Sequence, residues 1–335
     1  MAEFELASVL ENVRVIDLAC KTNANVKLSE DEEVAVATLD AWAKEIGKTG
    51  HDKDHQIAQF IQREIQETFD NYPSELLSQL FDIGSIGEDD RASYYTEPKN
   101  TLRAIEAAPG GNVERSFLDI SSVTPTYTNL QVETDISMVD LRRNGWKSVA
   151  RLSQYAIDAL NNKMFKVIFD AIDAAITSGN NFIDLSSSSA TVTTTAMNTL
   201  SLYLHDFNEG GGAIVALSKF IQQISKLSGF TSFLSEQMKD TLYRTGELPM
   251  FDGIPMYRIA SYKYLNGDGS TPLIKDKRVY GIAGKIGAID MIGDVRIMEQ
   301  EDINNENVHL KIAGFKFGRS FYNSALEKCV KMALQ

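Results

Sequence analysis

Residues 146–176 read WKSVARLSQYAIDALNNKMFKVIFDAIDAAI, without a Pro or Gly. Val149, Leu152, Ala156, Leu160, Met164, Val167, Ala171 and Ala175 recur three or four residues apart, the spacing of one helical face. Ile157, Ile168 and Ile172 widen that face, while Arg151, Asp158, Lys163 and Lys166 mark the others. At 1.5 Å per residue such a helix is about 46 Å long, roughly twice or more the usual length in a globular protein. The stripe is interrupted by Ala, lacks a sustained Leu or Ile seam and stands alone in the chain, which argues against a coiled coil. A long helix packed lengthwise on sheet is the better expectation.

On the amino-terminal side, Val9 to Ala19 is a short apolar-rich stretch, predicted as an arm or strand. Ser29 followed by Glu30, Asp31 and Glu32 is an amino-cap signature, with Glu32 placed to complete a capping box. Val34, Leu39, Trp42 and Ile46 supply an apolar face to the helix that follows, up to Gly47. Ile57, Phe60, Ile61, Ile65 and Phe69 predict a second helix over about 54–69, and 74–81 a further turn or two. Residues 84–129 change character, with Gly84, Gly87, Pro98, Pro109, Gly110, Gly111 and Pro125 and no core-forming periodicity. A connection of that length predicts a long hairpin or excursion, which gains order by lying across a neighbour.

Carboxy-terminal to the long helix, Gly179 and Asn180 end it and 186–195 is a Ser/Thr-rich connector. Residues 196–290 read as a compact α/β unit: helices over 197–207, 219–227 and 233–242, a buried strand at 214–217, a turn at Phe251-Asp252-Gly253, a strand at 255–260, the Asn266-Gly-Asp-Gly269 loop, and a Gly-containing β-rich stretch from Val279 to Met291. Strands at 295–298 and 309–317 follow, then a short helical or extended piece from Asn323 to Leu334. The order predicts an inserted domain.

The net charge of -13 is unevenly placed: residues 1–90 hold 20 Asp or Glu against 7 Lys or Arg, and the rest hold 26 of each sign. Such an acidic segment serves solubility, or docks against a basic partner surface or a neighbouring copy. No dense basic cluster appears that would suit sequence-specific nucleic-acid binding. Cys20 and Cys329 match no disulfide framework or metal pattern and read as reduced thiols. The start lacks the positive region of a secretory signal, and no uncharged apolar run reaches the ~18 residues of a membrane span.

Motifs for chemistry fail on spacing. His51 and His55, beside Asp52 and Asp54, have no third ligand at matching distance, so no metal is expected. Asn266, Asp268 and Ser270 open like a calcium loop, but its sixth and twelfth positions are Thr271 and Lys277 instead of Gly and Glu. Gly281, Gly284 and Lys285 are too closely spaced for a phosphate loop, with Ile286 where a hydroxyl is needed, and Gly210 to Gly212 is no dinucleotide fingerprint. No Gly-x-Ser-x-Gly elbow accompanies His51, His55, His205 or His309, so no catalytic residue and no cofactor are expected. Tyrosines gather in the segments least able to fold alone: Tyr94, Tyr95 and Tyr127 in and near the excursion, Tyr262 and Tyr264 near the Gly-rich loop. With Pro109, Gly110, Gly111, Phe251, Asn266 and Asp268 they are the candidate contacts between copies.

This layout resembles the major capsid proteins of tailed bacteriophages, the Hong-Kong-97-type shell fold shared with encapsulin compartments. The local likeness is greatest at Leu248-Pro-Met-Phe-Asp-Gly-Ile-Pro-Met-Tyr-Arg258 and over Val308 to Met332. The resemblance implies an α+β fold with an amino-terminal arm carrying the acidic helical segment (1–83), an extended loop (84–129), a peripheral domain (130–189 with 291–335, its spine helix 146–176) and an axial domain (190–290). It implies a non-enzymatic subunit that self-assembles as pentamers and hexamers into an icosahedral head in the host cytoplasm. Such a head encloses double-stranded DNA without sequence-specific binding or a membrane, and its further partners are portal, scaffolding and decoration proteins. An encapsulin-like shell protein, and in a different class a soluble hydrolase, are the alternatives. The acidic helices at 29–82 depart from the family pattern, either as an elaborated arm or as a scaffolding-like segment removed on maturation.

Overall fold

The computed structural model describes residues 13–49, 54–71, 75–88, 90, 94–95, 106, 122–187, 190–207, 212–227, 237, 240, 249–260, 271–302, 307–322 and 326–335. The described part of the apolar stretch before residue 20 is helical, not extended: α1 spans Val15–Asn23, buries Val15, Ile16, Leu18 and Ala19, and carries Asp17 and Lys21 in its first and last turns, as the helix dipole favours. A short continuous apolar run has no periodicity to separate helix from strand. Helix α2, Glu30–Thr49, starts at the predicted cap. The Ser29 backbone N–H donates to Glu32 Oε2 at 2.9 Å and the Glu32 N–H to Ser29 Oγ at 3.3 Å. Leu39, Trp42 and Ile46 are buried with Ala35 and Ala43, but Val34, expected on the same face, is 59% exposed. Helix α3, Asp54–Asn71, buries all five predicted positions. Helix α4, Glu75–Leu80, runs directly into strand β1, Phe81–Ile86, so the predicted excursion begins with an ordered strand.

Two short strands, β2 (Tyr94–Tyr95) and β3 (Ser122–Val123), pair antiparallel. Pro109, Gly110 and Gly111 lie outside the described residues. Strand β4, Thr126–Ser137, and helix α5, Met138–Asn144, then lead into the long helix. Gly145, at φ +62, ends α5 in a conformation that costs other residues strain.

Helix α6 runs from Trp146 to Ala175. Trp146, Val149, Ser153, Ala156, Ile157 and Leu160 are buried at helical spacing; from there the buried positions advance by four, through Met164, Ile168, Ile172 and Ile176. Four residues turn 400°, so the buried face shifts about 40° at each step. The predicted stripe is therefore displaced in the second half: Val167 and Ala171 are half-buried, Ala175 is exposed, and the isoleucines take the core.

Strand β5 (Phe182–Leu185) precedes helix α7 (Thr194–Asp206), whose cap Thr193 accepts from the Ala196 N–H. Strand β6 (Gly212–Leu217) and helix α8 (Ser218–Ser225) follow. Of 233–242 only Gln237 and Asp240 are described, both helical. Strands β7 (Met250–Phe251) and β8 (Ile254–Ile259) form a hairpin through Asp252 and Gly253, at φ +50 and +79, a two-residue turn suited to Asp-Gly. The loop with Tyr262, Tyr264, Asn266 and Asp268 lies outside the described residues. Strands β9 (Arg278–Ala283), β10 (Gly287–Ile292), β11 (Arg296–Asp302), β12 (Asn307–Phe321) and β13 (Cys329–Leu334) complete the chain.

The chain divides into two units: Met1–Pro73 with Thr128–Lys163 and Met291–Lys316, and Ser74–Tyr127 with Met164–Asp290 and Phe317–Gln335. In the first, β11 pairs antiparallel with β12, Arg296 opposite Ala313 and Asp302 opposite Asn307. Strand β4 also pairs with β12, and Lys311–Glu133 and His309–Asp135 bridge the two. Of the acidic helices, α2 and α3 belong to this unit. Trp146 Nε1 donates to Asp40 Oδ1 at 3.1 Å, Phe69 packs on Phe315 with ring centroids 4.5 Å apart, and the Val295 N–H donates to Gln66.

The second unit is built on a six-stranded sheet in the order β5-β13-β9-β6-β8-β7. Strand β13 is parallel to β5 and antiparallel to β9; β6 is antiparallel to β9 and parallel to β8. The expectation placed all of 291–335 in a domain apart from 190–290, but Cys329–Leu334 is an inner strand of the sheet that holds β6, β8 and β9, buried throughout. Successive strand residues point to opposite faces. Tyr280 meets Phe169 of α6, with centroids 5.5 Å apart, while a Cβ on Gly281 would stand 2.9 Å from Leu204 of α7. The second half of α6 and α7 thus cover opposite faces, and Gly281 lets α7 approach closely.

Candidate functional site

Among the described residues, three side-chain clusters have the composition of chemistry. In the first, Asp173 of α6, 5% exposed, accepts from Lys275 at 2.6 Å and from the Tyr280 hydroxyl at 3.3 Å. Lys331, also 5% exposed, donates to the Asp173 carbonyl at 2.8 Å and lies 3.3 Å from its carboxylate, and Arg278 stands 3.4 Å away. Burial works against ionisation of Asp173, but the Lys275 and Lys331 bonds hold its carboxyl below the ordinary value. Burial and the neighbouring carboxylate push the Tyr280 hydroxyl well up. A carboxylate engaged this fully is no general base; it ties α6 to β9 and β13.

The second cluster contains Ser201, His205 and Asp252, the residue types of a nucleophilic triad in another order. Ser201 Oγ donates to Asp252 Oδ2 at 2.5 Å, and His205 Nε2 is 3.1 Å from the Asp252 carbonyl oxygen and 3.4 Å from Oδ2. A triad needs the imidazole between serine and acid. Here both Ser and His address the Asp at the hairpin tip, so the cluster pins the β7–β8 turn to α7. The third cluster joins Asp82 to Lys285 and to Tyr322, whose hydroxyl donates at 2.7 Å. Burial opposes ionisation of Asp82, and those two bonds hold its carboxyl down. The lysine that superficially suited a phosphate loop is thus used in fastening β1. Among the described residues no group of three or more His, Cys, Asp and Glu converges to hold a metal; His51 lies outside them and His55 is exposed.

Concave surface is found in the first unit. One groove of about 300 Å³ runs beside β4, lined by Ile136, Asp140, Arg151, Leu152 and Tyr155, with Tyr155 66% exposed. Another, of about 350 Å³, lies where α2 meets the end of α5 and the start of α6. Val36, Ala43 and Leu141 line it together with Lys44, Arg142, Arg143 and Lys147, and its one acid, Asp40, accepts from Trp146. This basic groove has no signature in the sequence, because Lys44 is about 100 positions from the other three cations.

Of the tyrosines and turn residues singled out from sequence, Tyr94 and Tyr95 pair with Val123 and Ser122. Tyr127 is half exposed, its ring 3.1 Å from where a Cβ on Gly318 would stand. Phe251 is 3% exposed, packed inside its own chain. Cys20 is exposed and Cys329 buried, its thiol pushed up to about 12 by that burial.

Residues 6–322 match the family model described as "SPbeta prophage-derived putative capsid protein YonB". No curated protein matches the chain. Among solved structures it is similar to a chain of the capsid structure of the cyanophage P-SCSP1u, with a TM-score of 0.52 and 12% identity over 77% of this chain and 88% of that one. A chain from Microbacterium phage Oxtober96 gives a TM-score of 0.52 and 9% identity over 78% and 91%. One from the capsid of a native GTA particle gives 0.51 and 9% over 77% and 89%. At such identities the likeness establishes the α+β fold of phage capsid chains and nothing finer.

Proposed function

The chain belongs to the family of the SPbeta prophage-derived capsid protein YonB, and from that premise we propose that it is the major subunit of a phage head, self-assembling as pentamers and hexamers into an icosahedral shell around double-stranded DNA. The observation that carries this reading is the span of the family match, 6–322 of 335 residues, which takes in the acidic helices, the long helix and most of both units. Its role is structural and not catalytic, in keeping with three polar clusters that each fasten one element to another. The sheet unit acts as the axial domain at ring centres and α6 as the spine, while residues 84–129 overlay a neighbour. Tyr94, Tyr95, Tyr127 and the loop with Tyr262, Tyr264, Asn266 and Asp268 contribute contacts between copies; the buried Phe251 supports its hairpin instead. Assembly takes place in the host cytoplasm, with portal, scaffolding and decoration proteins as partners. Closed shells follow from heterologous contacts repeated about symmetry axes.

Negative-stain microscopy of the purified full chain tests this directly. Shells, pentamers or hexamers are expected; a compact monomer persisting at high concentration would overturn the proposal. Nuclease-protected DNA is expected in native particles, and a protein cargo in its place would reassign the shell to a compartment.

A further inference from the structure

The groove between α2 and α5 joins an apolar floor to a rim of four cations, Lys44, Arg142, Arg143 and Lys147. It stands in the unit that carries residues 1–73, which hold 15 Asp or Glu against 7 Lys or Arg. Lys147 lies in the first turn of a 30-residue helix, where a positive charge opposes the helix dipole. Its presence there does nothing for the helix and suits an anionic partner. At its other end, α2 presents the complementary surface. Glu30, Asp31 and Glu33 are exposed in its first turn, and Val34, 59% exposed, sits one turn on from Glu30 and Asp31. An exposed apolar side chain with an acidic rim matches a groove with an apolar floor and a basic rim.

We propose that the basic groove at the α2–α5 junction receives the acidic first turn of α2 from a second copy of this chain. The contact cannot close within one molecule. The groove runs along the flank of α2 from Val36 to Lys44, with Glu30 and Lys44 about 21 Å apart along the axis, and a rigid helix cannot fold its own first turn back into a groove on its flank. The contact joins unlike surfaces, so each copy can offer acid to one neighbour and groove to another, a heterologous pairing that closes into rings when its rotation allows. Duplex nucleic acid is a poorer occupant, because its extended phosphate backbone would meet the acidic surface flanking so small a basic patch.

The inference rests on the shell reading, and the test separates the two. Sedimentation at low and high salt would follow assembly of the full-length wild type, Arg143→Glu/Lys147→Glu, Glu30→Lys/Asp31→Lys/Glu33→Lys, and a chain carrying both sets. The neutral Arg143→Gln/Lys147→Gln serves as a milder groove variant, and thermal melts establish that each chain is folded. Each one-sided swap is expected to raise the concentration needed for assembly by roughly tenfold or more, the neutral variant by less. The double set is expected to recover most of the loss, and salt to weaken the wild type. Folded one-sided variants that assemble like wild type would overturn the contact while leaving the shell reading intact. Groove variants that form normal shells lacking DNA would overturn it in favour of a nucleic-acid site. A wild type that never assembles would sink both.

Discussion

Glu64 and Asp173 are both buried carboxylates on helices, at 2% and 5% exposure, yet their environments drive them in opposite directions. Glu64, on α3, is pushed up to about 7, first by burial and then by the neighbouring Glu67; backbone N–H groups of Ile16 and Val15 at the start of α1, and Arg14 nearby, offset only part of that. Its Oε2 has no protein hydrogen-bond partner. Asp173 meets the same opposition from burial but is surrounded by Lys275, Lys331 and Arg278, and its carboxyl stays below its ordinary value. Burial therefore does not decide the charge state of a carboxylate; the cations brought to it do. One acid caps a helix at the edge of ionisation. The other is held as an anion by its cations, inside a tie between elements.

The largest way to break this contrast is to remove the anion. Asp173→Ala leaves Lys331 buried without its charge partner, and a broken buried pair costs about 3–5 kcal/mol. Chemical denaturation of dissociated subunits should show that loss, and adding Lys331→Met should recover part of it. An unchanged midpoint in Asp173→Ala would mean that Lys331 is satisfied without the carboxylate.

Next in size is a pH effect of opposite sign at the two acids. Between the ordinary glutamate value of 4.5 and about 7, unfolded chain has released the Glu64 proton while folded chain still holds it. Stability therefore falls as pH rises through that window, by up to about 3 kcal/mol, and levels off above it. Asp173, with a lowered value, contributes stability that is present above its ordinary 3.8 and is lost as pH falls through the folded value. Glu64→Gln should abolish the decline between pH 4.5 and 7 and leave the acid-side loss untouched. Denaturation midpoints measured across pH would read both at once.

A smaller effect tests the opposite face of the Asp173 sheet, where geometry and not charge is limiting. A methyl on Gly281 would stand 2.7 Å from Val330 Cγ1 and 2.9 Å from Leu204 Cδ1. Gly281→Ala should cost about 2 kcal/mol through overpacking, with no change in the pH profile, as thermal melts at two pH values would show.

What could be read in the sequence was what is local. The Ser29–Glu32 box spans three residues, the Asp252-Gly253 turn two, and the α6 stripe repeats within each turn, so their signals lie inside a short window. Even there two faces compete: Ala171 and Ala175 continue the periodic stripe, while Ile168, Ile172 and Ile176 are the positions that the fold buries. Nothing local announces that Lys331 meets a carboxylate 158 positions away, or that β13 is inserted between β5 and β9. Glu64 looked like one more acidic residue on an amphipathic helix, because its burial depends on where α1 docks. The basic groove was invisible for the same reason.

The smallest expected effect belongs to the exposed counterpart of these acids. Glu32 accepts from the Ser29 N–H and, at 2.5 Å, from Lys21, and the Lys21 bond, with that of Ser29, lowers its carboxyl as cations lower Asp173. The electrostatic direction is the same, but water screens it, so what stabilises this corner is the cap and not the charge. Ser29→Ala removes the acceptor for the Glu32 N–H and should cost about 1 kcal/mol, while Ser29→Asp should retain nearly all of the stability. Amide exchange at Glu32 ought to quicken in Ser29→Ala before any global change appears, because only the first turn of α2 loses its partner. Equal protection in both variants would mean that Lys21 and Glu32 hold the turn without the serine, and exposed charge would then matter more at this corner than its screening allows.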